Sequence, residues 1–169
     1  MALQVPPGDE RLRACCQSCG AIVYVNPKVV VACVLRTRDI RFLLGKRSIE
    51  PRLGYWGIPQ GFLELDETTR EGACREVQEE VGVEVNPSDL RLAALYNVPG
   101  SVQIVYDAVI QENELESIPL ATLESSEIGL FSMDELPDLC FPTVQWALDY
   151  CSMSDNEGMK TGLHVQLKT

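Results

Sequence analysis

Three glutamates crowd into five residues, Glu76, Glu79 and Glu80, within the stretch GFLELDETTREGACREVQEEVGVEV at 61–85. Carboxylate oxygens are the hard ligands that Mg²⁺-type cations take, and such cations keep several waters and share substrate phosphates. On a helix turning about 100° per residue, Glu80 falls about 40° from Glu76, and Glu79 about 60° to its other side. The three carboxylates therefore share one face. Ala73, Val77 and Val81 repeat at i, i+4 on another, suited to a core. Like charges so spaced cost a helix roughly 0.2–0.5 kcal/mol per pair. A solvated acidic stripe would tolerate that cost, and a bound cation would remove it. Arg75, beside Glu76, can hold a carboxylate through a two-pronged contact.

Such a face works only if its helix is rigidly placed. Thr68 with Glu71 three residues on makes a capping box, and Gly82 stands where a left-handed C-terminal residue belongs. These signals predict a helix over 68–81. The preceding IEPRLGYWGIPQG, residues 49–61, is a structured loop rich in Gly and Pro. KVVVACVLRT (28–37) and RFLLGKRS (41–48) read as buried strands joined by a tight hairpin. Further strands are expected near 90–97, 102–110 and 128–133, and a helix over 142–152. Residues 1–14 read as a flexible lead and 153–169 as a polar tail. The pattern predicts an α/β fold with a mixed sheet.

Composition sets the outer limits. The chain has 169 residues, 46 % apolar and 23 % charged, which suits one domain with a sizeable core. The formal net charge is −11, which argues against a nucleic-acid backbone as partner. No apolar run is long enough for a membrane span, and the N-terminus lacks the apolar core of a signal peptide. The seven cysteines, an odd number, do not form a disulfide framework, and Cys33 and Cys74 read as buried small hydrophobes. A reducing compartment is expected: the cytoplasm, or an organelle if a transit segment was removed.

Gly61, five residues, Glu67, seven residues, then Arg75-Glu76-Val77-Gln78-Glu79-Glu80-Val81-Gly82-Val83 resembles the Nudix box at every defined position. With WGIPQG before it and LFSMDELP at 130–137, the resemblance covers roughly 22–150. It implies a Nudix α/β/α sandwich that hydrolyses a nucleoside diphosphate linked to another moiety, using Mg²⁺ or Mn²⁺. It also implies Glu76, Glu79 and Glu80 as metal ligands, with the Gly61 carbonyl. Glu67 and Arg75 would brace the loop–helix–loop around the reacting centre, and Glu64 would stand behind the ligands. The general base of this family is often a late-loop glutamate. Glu127 aligns best, with Glu124 as runner-up. The departures are Asp66 before the box glutamate, Gln60 where a small residue is usual, and Gly72 in place of the usual Ala.

CCQSCG at 15–20 contains half of a zinc ribbon, Cys16 and Cys19. Four ligands close a structural zinc site, so bound zinc is not expected in this chain alone. The stretch from PPGD to VVVACVL resembles a zinc-ribbon Nudix subgroup of NADH and FAD/ADP-ribose pyrophosphatases, in which another CxxC comes earlier. The domains are accordingly a lead with a partial knuckle at 1–25, a Nudix domain at 26–152 and a tail at 153–169. For the substrate, Pro99 sits where a proline accompanies ADP-ribose pyrophosphatases in this family, and the signature of NADH enzymes is absent. ADP-ribose or FAD, giving AMP, is the leading expectation. A pyrophosphatase for damaged nucleoside triphosphates and a non-catalytic nucleotide sensor are the alternatives. Arg47 and Arg52 are candidates for the phosphates, and Tyr55, Trp56 and Tyr96 for stacking on a ring. The expected partner is a small nucleotide, with neither nucleic acid nor membrane. Many such relatives dimerise, so a homodimer is also expected.

Overall fold

The computed structural model describes residues 1–153 and 164–167. In chain order the elements are β1 (Ala2–Gln4), β2 (Arg13–Cys15), β3 (Ile22–Val23), β4 (Lys28–Arg36), β5 (Phe42–Arg47), β6 (Trp56–Gly57), β7 (Gln60–Phe62), α1 (Thr69–Val81), β8 (Arg91–Val98), β9 (Ser101–Val109), α2 (Glu112–Leu115), β10 (Ser125–Phe131), α3 (Pro142–Met153) and β11 (His164–Leu167).

Alternation along β4 decides the layering. Val31, Cys33 and Leu35 pack with Ala73, Val77 and Val81 of α1. Ala32 and Val34 pack with Val144, Ala147, Leu148 and Cys151 of α3. All of these side chains are buried, so the strand has no solvent face and reads as one apolar run. The main sheet runs β10-β5-β4-β9-β8-β11, with β6 on β5 and β7 on β4. β4 and β9 are parallel while β8 and β9 are antiparallel, so the sheet is mixed. The result is an α/β/α sandwich. Each fully buried valine in it contributes about 1.5–3 kcal/mol.

A buried ion pair interrupts this core. Asp107 on β9 takes Arg36 at 2.8 Å and Arg91 at 2.5 Å. Arg36 and Asp107 are both buried, so the hydrogen bonds between them replace ones that water would supply.

The α1 signals act locally. The Thr68 side chain accepts from the Glu71 N–H, and the Glu71 carboxylate accepts from the Thr68 N–H at 2.8 Å. Gly82 closes the helix with φ 69°. Two expectations are corrected. Residues 1–14 are not a loose lead: β1, β2 and β3 form a separate antiparallel sheet, in which Ala2 pairs with Cys15 and buries that thiol. The expected tail contributes β11, which lies parallel to β8 along Ala94–Asn97. The rest of that tail, 154–163 and 168–169, lies outside the described residues. No helix among them is long and apolar enough to cross a membrane.

Candidate active site

β7 and α1 bring the site together. Val31 of β4 pairs with Gly61 of β7, which sets the Gly61 backbone against the α1 face carrying Glu76. A Cβ on Gly61 would lie 2.1 Å from Glu76 Oε1. The glycine is needed because the carboxylate occupies that space. Glu76 is buried, Glu79 exposed and Glu80 half-buried.

Arg75 ties the carboxylates down. Its guanidinium donates to Glu67 (Nη2 to Oε1, 2.8 Å), Glu76 (Nη1 to Oε1, 2.7 Å) and Glu79 (Nη1 to Oε2, 2.9 Å), and to the Phe62 carbonyl at 3.0 Å. These contacts keep Arg75 fully charged and hold Glu67 below the ordinary carboxylate range. Gly72 follows from this clamp. A Cβ there would meet Glu67 Oε1 at 2.7 Å and Leu63 Cδ1 at 3.0 Å, so the alanine usual in the box has no room. Glu67 also accepts the Glu64 N–H at 2.9 Å, while the Glu64 side chain is exposed and does not line the cavity described below.

The environment raises two of the box carboxyls. Burial, partly offset by Arg75, pushes Glu76 up. Burial and the Glu76 charge push Glu80 up to about 8, against the pull of Arg47 and a hydrogen bond from the Gln60 backbone. Such a group favours a proton or a cation over standing bare.

Beside these carboxylates opens a cavity of about 420 Å³ that reaches Arg47, Gln60 and Glu124 and has apolar walls including Val30, Phe62 and Phe141. Arg47 donates to the Pro51 carbonyl at 2.8 Å and lies over the Phe141 ring. Glu124 lines the cavity and its charge helps raise both Glu76 and Glu80.

Other candidates lie elsewhere. Glu127 is bound to Lys46 at 2.6 Å on the exposed side of β10 and does not line the cavity. Tyr55 is exposed under the Arg52 guanidinium, and neither lines it. Pro99 is in the exposed β8–β9 turn, away from that lining. Tyr96 is fully buried core, and Trp56 packs edge-on to Phe131 at 4.9 Å. Of the wall residues, Phe62, Gln103 and Phe141 went unremarked in the sequence, because they come from separate strands and loops that converge only in the fold.

Among the described residues no three His, Cys, Asp or Glu side chains already surround a point where a metal could sit, since Glu76 and Glu79 are turned onto Arg75. The donor set nevertheless suits Mg²⁺ or Mn²⁺. It offers hard oxygens on a fixed helix face, and these ions take one or two carboxylates and fill their shells with water and phosphate. Zinc is different, because a closed site takes four protein ligands. The Cys16–Cys19 turn is formed, with the Gly20 N–H on the Cys16 carbonyl, yet it supplies only two thiols. Hydrogen bonds from Ser18, chiefly, bring the Cys16 thiol down to about 6.

Comparison with known proteins agrees with this geometry. The NUDIX domain family matches residues 26–149, and the family described as Nudix N-terminal matches residues 1–25. An ADP-ribose pyrophosphatase of Methanocaldococcus jannaschii is 30 % identical over 134 residues, covering 76 % of this chain and 75 % of the relative. A NAD-capped RNA hydrolase, NudC, of Chromobacterium violaceum is 32 % identical over 127 residues, which are 75 % of this chain but 46 % of that longer protein. The crystal structure of a NUDIX hydrolase from Nitrosomonas europaea superposes with a TM-score of 0.83 at 32 % identity, over 99 % of this chain and 94 % of its own. The chain belongs to the NUDIX family. It is a Nudix pyrophosphatase, a hydrolase of phosphoric anhydride bonds.

Proposed function

We propose that this protein hydrolyses the diphosphate of ADP-ribose or FAD, releasing AMP, with Mg²⁺ or Mn²⁺ held by Glu76, Glu79, Glu80 and the Gly61 carbonyl. One observation carries the reading: the acidic face of α1 borders a cavity with apolar walls and a guanidinium, so metal-binding groups and room for a nucleoside are side by side. The identity with the ADP-ribose pyrophosphatase of M. jannaschii supports the substrate class.

The bound cation would supply a Lewis acid for the phosphoryl oxygens and a more acidic water. The chain's own residues do the rest. Arg75 holds Glu76 and Glu67 so that the loop before α1 keeps its shape. Arg47 donates to a phosphate. Glu124 accepts the proton of the attacking water as its oxygen bonds to phosphorus and the P–O–P bridge breaks. From ADP-ribose the products are AMP and ribose 5-phosphate. The apolar walls take the base or ring. A homodimer belongs to the same proposal.

The test is turnover of ADP-ribose, FAD, NADH, a diadenosine polyphosphate and 8-oxo-dGTP with Mg²⁺, read by chromatography of the mononucleotides, with Glu79→Gln as control. AMP from ADP-ribose or FAD, lost in the control, is the expected result. Turnover of 8-oxo-dGTP alone would overturn the substrate assignment.

A further inference from the structure

Gln60 is the residue of the β7 turn for which the reaction above has no use. Its backbone is engaged: it stands opposite Ala32 of β4, and its N–H reaches the Glu80 carboxylate. Its side chain is not. The carboxamide Nε2 is buried and has no hydrogen-bond partner. Buried amide N–H groups are seldom left so, because they give up water without replacing it. Glu76, Glu79, Glu80 and Glu124 line the same cavity as Gln60, yet none of them accepts from this nitrogen. A donor left unpaired beside four acceptors is placed for an acceptor that arrives with a ligand. A cation cannot use it, since an amide N–H₂ has no lone pair to give. A phosphoryl oxygen can. Arg47 is the one cation among the described residues lining the cavity, so an uncharged donor here would help admit a diphosphate into an acidic site.

We propose that the Gln60 carboxamide donates a hydrogen bond to a phosphoryl oxygen of the bound diphosphate and so positions the substrate. This rests on the pyrophosphatase reading above. It also assigns a role to a side chain that stands where a small residue is usual in the box approach.

The experiment uses Gln60→Met, which keeps volume and removes the donor, and Gln60→Ala. Isothermal titration with the α,β-methylene analogue of ADP and Mg²⁺ reports diphosphate affinity. Titration with Mn²⁺ alone reports the carboxylate cradle. Both variants are expected to weaken analogue binding about tenfold or more, the usual size for a lost hydrogen bond to a charged group. KM should rise in step, kcat should change less than about threefold, and Mn²⁺ affinity should stay within about twofold. Analogue binding equal to wild type in both variants would overturn the proposal. A parallel loss of Mn²⁺ affinity would also overturn it, since Gln60 would then be scaffolding for Glu80. If the wild-type protein itself neither binds the analogue nor releases AMP, the pyrophosphatase substrate reading falls, and this proposal with it. If wild type does both and the variants match it, this proposal falls alone.

Discussion

Glu124 and Glu127 are three residues apart and chemically identical, yet they have different surroundings. Glu127 lies on β10 opposite Lys46, after a shift in register between Ser125 and Glu127, and its carboxylate is taken by that lysine. Glu124 precedes the strand. Its carbonyl accepts the Ser48 N–H, and its carboxylate faces the cavity. Glu124→Gln is therefore expected to lower kcat by about 10²–10⁴, the range for loss of a general base. Glu127→Gln should stay within about twofold of wild type in the same steady-state assay. Equal losses in the two variants would contradict the assignment of the base to Glu124.

At the scale of the element, α1 shows where intrinsic preference gives way to packing. Propensity alone says Gly72→Ala should stabilise an exposed helix by about 1 kcal/mol. Here the new Cβ would displace Glu67, which Arg75 grips at 2.8 Å. The expected outcome is no rise in melting temperature, together with a fall in kcat as the Arg75 clamp loosens. Calorimetry and kinetics on one preparation test both parts. A more stable variant with full activity would show that Glu67 is free to move.

At the scale of the molecule, the acidic site sets how stability responds to pH and cation. Glu80, at about 8 in the folded chain against 4.5 for an ordinary glutamate, binds its proton more tightly folded than unfolded. Its stabilising effect is complete below pH 4.5 and is lost as pH rises through about 8. Glu76 shifts in the same direction. Glu67 and Glu71 shift oppositely, so their effect is lost as pH falls below 4.5, a separate range. Cys16, at about 6 against an ordinary 9.0, gains in the upper part of the same window, so the Glu80 effect is read as the wild-type melting temperature minus that of Glu80→Gln in EDTA, a difference that should fall between about pH 5.5 and 8. Added Mg²⁺ should raise the melting temperature more at pH 8 than at pH 5.5, because it must displace protons at the lower pH. A difference that grows over this window would contradict the burial of Glu80.

Much of this was legible in the chain alone, for a physical reason: the signals are short-range. Thr68, Glu71 and Gly82 act within one helix turn, and the i, i+4 valines and the face of glutamates follow from helix geometry. The alternation of β4 likewise fixes a strand covered on both faces. What the sequence did not determine was which distant atoms meet. The choice of Glu124 over Glu127 depends on the β10 register. The burial of Tyr96 depends on α3, and the need for Gly72 depends on where Glu67 folds back. The ordered N-terminal sheet and β11 depend on partner strands, because short polar segments carry too little apolar surface to announce themselves. The idle Gln60 nitrogen was visible only once every neighbour had taken its place. Local periodicity is a property of the chain, whereas burial, register and unpaired donors are properties of the packed whole.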